Sequence, residues 1–519
     1  MARSTVTFVL SPAGLGQAAT GDDFISGEVL YGTAPGSFAT TSKQAVYSLT
    51  DAENKGITLD HADEVRATGS LVIAGVGSTG DTISLQVVET NPVTSANPTG
   101  TTTVTLCTYT QAAGDTTATL LAASIAAAIN ANSYLTGTST LAGYTATAAT
   151  GTITVTARYR LGINLNTKSL IPTMVGGITT GTNTAFSGGV YSKKAVWHYI
   201  VSEFFRANPT GVLWVGFFAS PDYTNDCISL QNAANGAIKQ FGVFDSTVTS
   251  ASTFTSNGTL LQAQMATLFG GYNPAVVVYA PNIKAISDLS TLQNQQTKSN
   301  YYVSPLISQD GGAAGAQFYI NSGVSMGNIG CALGTISAAK VNQDIGEIGA
   351  FNITNDTEMA IPAFTNGQLV SAVSSNLLDQ LDSYRYLFAT TQPNISGTFW
   401  VNDWSCVVAT SPYYRISRNR TMNKAVRLTY ANVVPLLKSQ IILKADGTID
   451  DVTIAKFDGA VLPVQTQMLN AGEISNMKIT IDPTQNVIAN GKLIMSIAIQ
   501  PTITADFIEE DMSFVAKIS

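Results

Sequence analysis

The residues able to do chemistry in this 519-residue chain are few and scattered. Its two histidines are His61, in the polar run LDHADE, and His198, in AVWHYIV beside Trp197 and Tyr199. The first reads as a surface residue and the second as packed or hydrogen-bonded. A Ser-His-Asp or Cys-His arrangement needs a placed histidine, and neither setting supplies one. Cys107, Cys227, Cys331 and Cys406 lie far apart and form no CxxC pair. A zinc site needs clustered ligands, so free buried thiols and no metal are expected. Carboxylate neighbours such as Asp450-Asp451 and Glu509-Glu510 point apart or face water, and general acid–base work needs a cleft around them. Gly75-Val76-Gly77-Ser78-Thr79-Gly80 matches G-x-G-x-x-G, a motif that holds a pyrophosphate only where a helix follows. Asp81 to Leu85 reads as a strand instead, so a glycine-rich hairpin turn is expected. No catalytic residue, metal site or cofactor is expected, and the chain reads as a structural protein.

One charged cluster stands out. Arg415, Arg418, Arg420, Lys424 and Arg427 place five positive residues in thirteen positions, with no acid among them. On a helix from Asn419 to Leu437, Arg420, Lys424 and Arg427 share one face. Met422, Val426, Tyr430, Val433 and Leu437 line another. Pro435 should kink or end that helix. The basic stripe reads either as a solvated helix face or as a surface docking an acidic partner. The second feature is a strand-like run at each end. Thr5, Val6, Thr7, Phe8, Val9 and Leu10 form one. Met512, Ser513, Phe514, Val515, Ala516, Lys517 and Ile518 form the other. Each can pair within its own chain or add to the sheet of a neighbouring copy.

The elements that would position these features fall into several units, as the length requires. Residues 1–20 read as an arm. Residues 21–65 and 191–390 read as a middle α/β domain, because nearly continuous apolar strands alternate with helices. Its strands are Val212–Ala219, Phe241–Phe244 and Ala275–Ala280. Its helices are Ile228–Ile238 and Thr259–Phe269. Residues 66–190 read as an inserted α+β domain. Between Asn91 and Val190 only Asp115, Arg158, Arg160 and Lys168 carry charge. Strands Thr82–Val88 and Thr103–Tyr109 precede a helix, Thr116 to Asn130, capped by Asp115, with Leu121, Ile125 and Ile129 inward. A hairpin of Tyr144–Ala148 and Thr152–Arg158 follows, then a Gly/Thr-rich return linker at Gly176–Gly189. Residues 391–510 read as a C-terminal α+β domain with a late strand at Lys492–Gln500. Residues 511–519 form a second arm.

Composition points the same way. Charged residues are 12% of the chain and hydrophobic residues 45%. An ordinary solvated surface uses about twice as much charge, so this one suits packing against copies of itself. A net charge of −8 argues against wrapping nucleic acid. The opening MARSTVTFVLSPAGLG has too short an apolar run for a signal peptide, and no stretch reads as a membrane span.

Ser417 to Arg427 (SRNRTMNKAVR) resembles the "NR…KA…R" helix of contractile tail sheath proteins. The motifs that follow it in that family have counterparts here in the same order. They are Pro435, Ser439-Gln440-Ile441, Asp446-Gly447, Ile481-Asp482-Pro483 with Asn486-Val487, and Ile497 to Pro501. Upstream, Gly397 to Asp403 (GTFWVND) resembles the family's "G.Y.ND" strand. Ala113 to Ala131 resembles the helix of an inserted domain found in sheath and other tail proteins. The resemblance implies a virion-tail subunit assembled in the host cytoplasm, stacking in rings around an inner tail tube protein. Baseplate and tail terminator proteins would be its other partners. The inserted domain would face outward, and Arg418, Arg420, Lys424 and Arg427 would face the tube. Terminal arms would cross into neighbours' sheets, and contraction would drive the tube through a target envelope. A tube, baseplate or capsid protein stays open as an alternative, as does an extracellular surface-layer or adhesin protein.

Overall fold

The computed structural model describes residues 22–93, 99–132, 141–247, 250–506 and 509. It is a mixed α/β chain with several sheets. Both terminal runs, Thr5–Leu10 and Met512–Ile518, lie outside the described residues.

The largest sheet has six strands in the order Val303–Pro305, Val276–Pro281, Gln240–Asp245, Ile25–Tyr31, Val212–Phe218 and Lys43–Val46. The first five run parallel and the last is an antiparallel edge. Gln240–Asp245 and Val276–Pro281 are buried throughout, which is why they read as continuous apolar runs. Helices Lys193–Ala207 and Ile329–Ala338 pack together beside the sheet, and the second of them lies on its strands. They approach so closely that a Cβ on Gly330 would sit 1.9 Å from the Ile200 carbonyl. Helices Asp226–Ala233 and Ala251–Gly270 pack together against strands of the same sheet.

Near the middle of this sheet sits Glu28, fully buried, with neither carboxylate oxygen hydrogen-bonded. It occupies space left by Gly242, where a Cβ would come within 2.1 Å of its Oε2. Burial raises its pKa well above the usual carboxylate range. The folded group therefore holds its proton at pH values where the unfolded chain has lost it. Its contribution to stability is fully present below about pH 4.3 and is lost as pH rises. Glu28→Met is expected to raise stability at pH 7 by about 1–3 kcal/mol, the cost of an unsatisfied buried polar group. Urea unfolding at pH 5 and pH 8 checks this. A variant with the wild-type pH dependence would contradict it.

The described residues of the inserted segment form two sheets and one helix around their own core. One sheet runs Thr145–Ala149, Thr152–Thr156, Thr68–Gly75, Thr179–Ser187; the other runs Thr101–Thr110, Thr82–Thr90, Ile171–Val175. Leu121, Ile125 and Ile129 of helix Ala118–Ala131 are buried. Three sequence expectations change here. The Gly75–Gly80 run is not a hairpin turn, because Thr68–Gly75 and Thr82–Thr90 belong to different sheets. Asp81 fixes this crossing by accepting from the Ser78 and Gly177 N–H groups at 2.8 and 2.7 Å. The Gly176–Gly189 stretch is no linker, since its alternating threonines form strand Thr179–Ser187 against Thr68–Gly75. The helix is capped by the Thr117 hydroxyl. Asp115 instead accepts from Tyr109, Ala112 and Ser124.

The inserted segment joins the rest through a charged knot. Val65 and Val190 pair where the chain leaves and returns. His61, expected at the surface, is buried at 2% exposure, and its Nδ1 lies 2.9 Å from Glu64. Glu64 accepts three more bonds, from the N–H groups of Arg160, Leu161 and Gly162. The polar neighbours in LDHADE hide this, because Glu64's partners lie almost a hundred residues on. His198 bonds Glu53 at 2.8 Å. All four cysteines are buried free thiols.

Candidate assembly surface

The basic cluster sits on helix Ile416–Val433, which the 3-10 turn Val434–Leu436 and Pro435 bring to an end. Asp403 starts the helix: its carboxylate accepts from the Ser417 N–H at 2.8 Å and its carbonyl from Ile416. A carboxylate at that end also suits the helix dipole. A second helix, Asp451–Asn470, is capped by Asp450, whose side chain accepts from Val452. It lies beside the first, and the two pack on the hairpin of Ile474–Ile481 and Met495–Pro501. The sequence reading missed this second helix. The helix contains Pro463, and its Phe457, Val461, Val464 and Met468 repeat at helical spacing and are buried. Asp450 and Asp451, weighed as a carboxylate pair, divide into this cap and a surface pair with Lys444.

Helix Ile416–Val433 presents its charged stripe inward. Arg420 is 3% and Lys424 4% exposed. Lys424 Nζ lies 2.7 Å from Asp23 and 2.6 Å from Glu473, and Arg427 lies 2.6 Å from Asp23. Arg420 donates to the carbonyls of Ala339, Lys340 and Asp23, and burial pushes its pKa down to about 10. Arg415 is 1% exposed and binds Asp344, Asp403 and Asp506. Arg427 and Arg418 are only partly buried, and Arg418 lies over the Tyr414 ring. The stripe is therefore neither a solvated face nor, within this chain, an open docking surface. Its acids come from Asp23 and Glu473, far away in sequence, so the local absence of acids concealed the pairing. These pairs clamp both ends of the described chain, at Asp23 and Asp506, to one helix.

The apolar stripe faces the other way. Met422, Val426 and Val433 are only partly buried, and Tyr430 and Leu437 are 38% and 70% exposed. Together they floor an open groove of about 420 Å³, walled on the sheet side by Ile497 and Ile499. Tyr272, from the loop after helix Ala251–Gly270, stacks on Tyr430 at 3.8 Å and 12° at the groove's rim. The hairpin beside it has two strands, and among the described residues neither pairs on its outer side. Met495, Ile497 and Ile499 alternate inward toward the helices. The groove thus lies beneath the free edge of Met495–Pro501. A third strand added there would drop alternate side chains into it. More large apolar side chains are exposed at the far end of this unit, including Ile442, Val452 and Ile488.

No cluster of three or more metal-ligating side chains occurs among the described residues. No helix among them is long and apolar enough to cross a membrane.

Parts of the chain are similar to chains of solved structures. One is a chain of the anti-feeding prophage baseplate, 6-fold symmetrised, with a TM-score of 0.41, 11% identity, 61% of this chain covered and 80% of that one. A second is from the sheath complex of an extracellular contractile injection system, PVC, in the contracted state, with a TM-score of 0.40, 10% identity and coverages of 62% and 80%. The contracted anti-feeding prophage baseplate gives a third, at 0.40, 12%, 61% and 84%. No curated protein matches the chain. The DUF2586 N-terminal domain matches residues 71–403 and the DUF2586 C-terminal domain residues 413–519. The chain belongs to the DUF2586 family.

Proposed function

We propose that the chain is a structural subunit of a contractile tail, polymerising as its sheath around an inner tube by strand exchange between copies. The observation that carries this reading is the inverted helix Ile416–Val433. It turns Arg420, Lys424 and Arg427 inward and leaves its apolar stripe open beside a sheet edge that none of the described residues pairs with. A soluble monomer gains nothing from that arrangement, whereas a strand from a neighbour covers the groove and satisfies the edge. The terminal runs supply suitable strands. In sequence, Val6, Phe8 and Leu10 occupy alternate positions of the first, and Phe514, Ala516 and Ile518 alternate positions of the second. The low charge of the chain and the order of sheath-like motifs support the same reading. The tube contact is reassigned from the basic stripe, which is internally paired, to the exposed apolar end of the C-terminal unit. Contraction would be a rigid-body rearrangement about flexible strand linkages, needing no cofactor.

Deleting residues 1–10 or 511–519 should abolish polymers while leaving circular dichroism and the melting temperature of the core unchanged. Normal polymers from both deletions would refute strand exchange. Closed rings that never stack would favour a baseplate part over a sheath.

A further inference from the structure

Toward the start of helix Ile416–Val433 lies a second cavity, a half-open cleft of about 540 Å³. Phe269, Tyr301, Tyr302 and Tyr413 line it on one side, with Met422 and Asn423 on the other. Met422 also lines the groove beneath the free strand edge, so the two spaces are neighbours. Asn423 is 1% exposed, and neither its amide nitrogen nor its oxygen is hydrogen-bonded. One turn earlier, Asn419 is equally buried. Its Nδ2 donates to the carbonyls of Tyr301, Tyr413 and Arg415, but its Oδ1 accepts nothing. Buried polar groups are almost always paired, so three such atoms on one turn of helix call for a ligand. A carboxamide offers an N–H donor and a C=O acceptor together, which matches the acceptor and donor of a peptide group. No charged side chain lines the cleft, so its chemistry suits a neutral partner.

We propose that this cleft receives the continuation of the added strand from a second copy. A peptide group of that segment pairs with Asn423, and the adjoining apolar side chain enters the tyrosine-lined cleft. The inference rests on the strand-exchange reading and adds to it the groups that hold the end of the added strand. Strand pairing alone tolerates slippage by two residues, and Asn423 pairs with any peptide group; register is set by the one apolar side chain that fills the tyrosine-lined cleft.

The test is the critical concentration for polymer assembly of the full-length chain and three variants. Asn423→Leu keeps the size of the side chain and removes its hydrogen bonds. Ala266→Trp blocks the cleft from an exposed position on its wall. Val426→Glu places a charge in the groove. Asn423→Leu and Ala266→Trp should each raise the critical concentration about tenfold, the effect of one or two lost hydrogen bonds. Val426→Glu should prevent assembly. Should Ala266→Trp act and Asn423→Leu assemble as wild type, the carboxamide has no role and the proposal falls. If both assemble as wild type while Val426→Glu does not, the cleft receives nothing from a second copy, yet strand exchange stands. Normal assembly by all three would overturn both readings.

Discussion

Lys424→Met is expected to destabilise the chain by about 3–5 kcal/mol, the usual cost of breaking a buried ion pair from one side. The loss arises because Asp23 and Glu473 remain where they are. Glu473 is 4% exposed, and its Oε2 already lacks a partner. Removing the ammonium leaves its carboxylate buried without a counter-charge, and Asp23 retains only Arg427. The damage should be regional. Lys424 ties the start of the central strand Ile25–Tyr31 to the helix and to the turn before Ile474–Ile481. Hydrogen exchange should therefore show the C-terminal unit loosening while the six-stranded sheet keeps its protection. The double variant Lys424→Met/Glu473→Met should recover much of the loss, since an apolar pair of similar volume often replaces a buried ion pair without penalty. Urea unfolding of both variants checks this. A single variant within about 1 kcal/mol of wild type would mean that water reaches the junction.

Arg415→Met should cost a similar amount, about 3–5 kcal/mol, and its cost should depend on pH. Arg415 faces three carboxylates. Among them the Asp344 carboxyl is pushed up to about 8, first by burial and then by Asp403 beside it. The folded pKa lies above the unfolded value of about 3.9. The group's contribution is therefore complete below about pH 4 and is lost as pH rises through about 8. Without the guanidinium nothing offsets the repulsion of Asp403 on the Asp344 carboxylate once Asp344 ionises. The variant should be hurt most at pH 8 and least near pH 5. Asp344→Asn should flatten the wild-type stability profile over the same interval. Melting temperatures from pH 4.5 to 8.5 read both effects, and equal losses at the two ends would contradict the assignment. Because Asp506 follows the last described strand, Arg415→Met should also free the root of the C-terminal run.

Three strands of the six-stranded sheet were legible because long apolar or β-branched runs bounded by turn residues leave little ambiguity. Val212–Phe218, Gln240–Asp245 and Val276–Pro281 stand within a residue or two of their expected places. Helix Ile416–Val433 was legible from its spacing, but the direction of its faces was not. A stripe of arginine and lysine reads as outward because its usual solvent is water. Here the solvent is Asp23, Glu473 and a set of carbonyls brought in by the fold, and nothing within thirteen residues announces them. His61 failed for the same reason, since Glu64 and the Arg160–Gly162 backbone bury it from a distance. Thr179–Ser187 was missed because glycine and threonine resemble linker when read one by one. Only its partner Thr68–Gly75 makes it a strand. Asn419 and Asn423 drew no notice in the sequence. A signal was present for Asn423, which falls between the basic and apolar stripes, where an uncharged amide can be buried from either side.

A neighbour that fills the open groove and the strand edge of each copy would join separate chains into a polymer. Electron microscopy of the purified full-length chain should then show striated tubes in which density for a third strand lies along Met495–Pro501 and over Val426 and Val433. A persistently monomeric particle, or tubes in which that groove stays open to solvent, would contradict strand exchange.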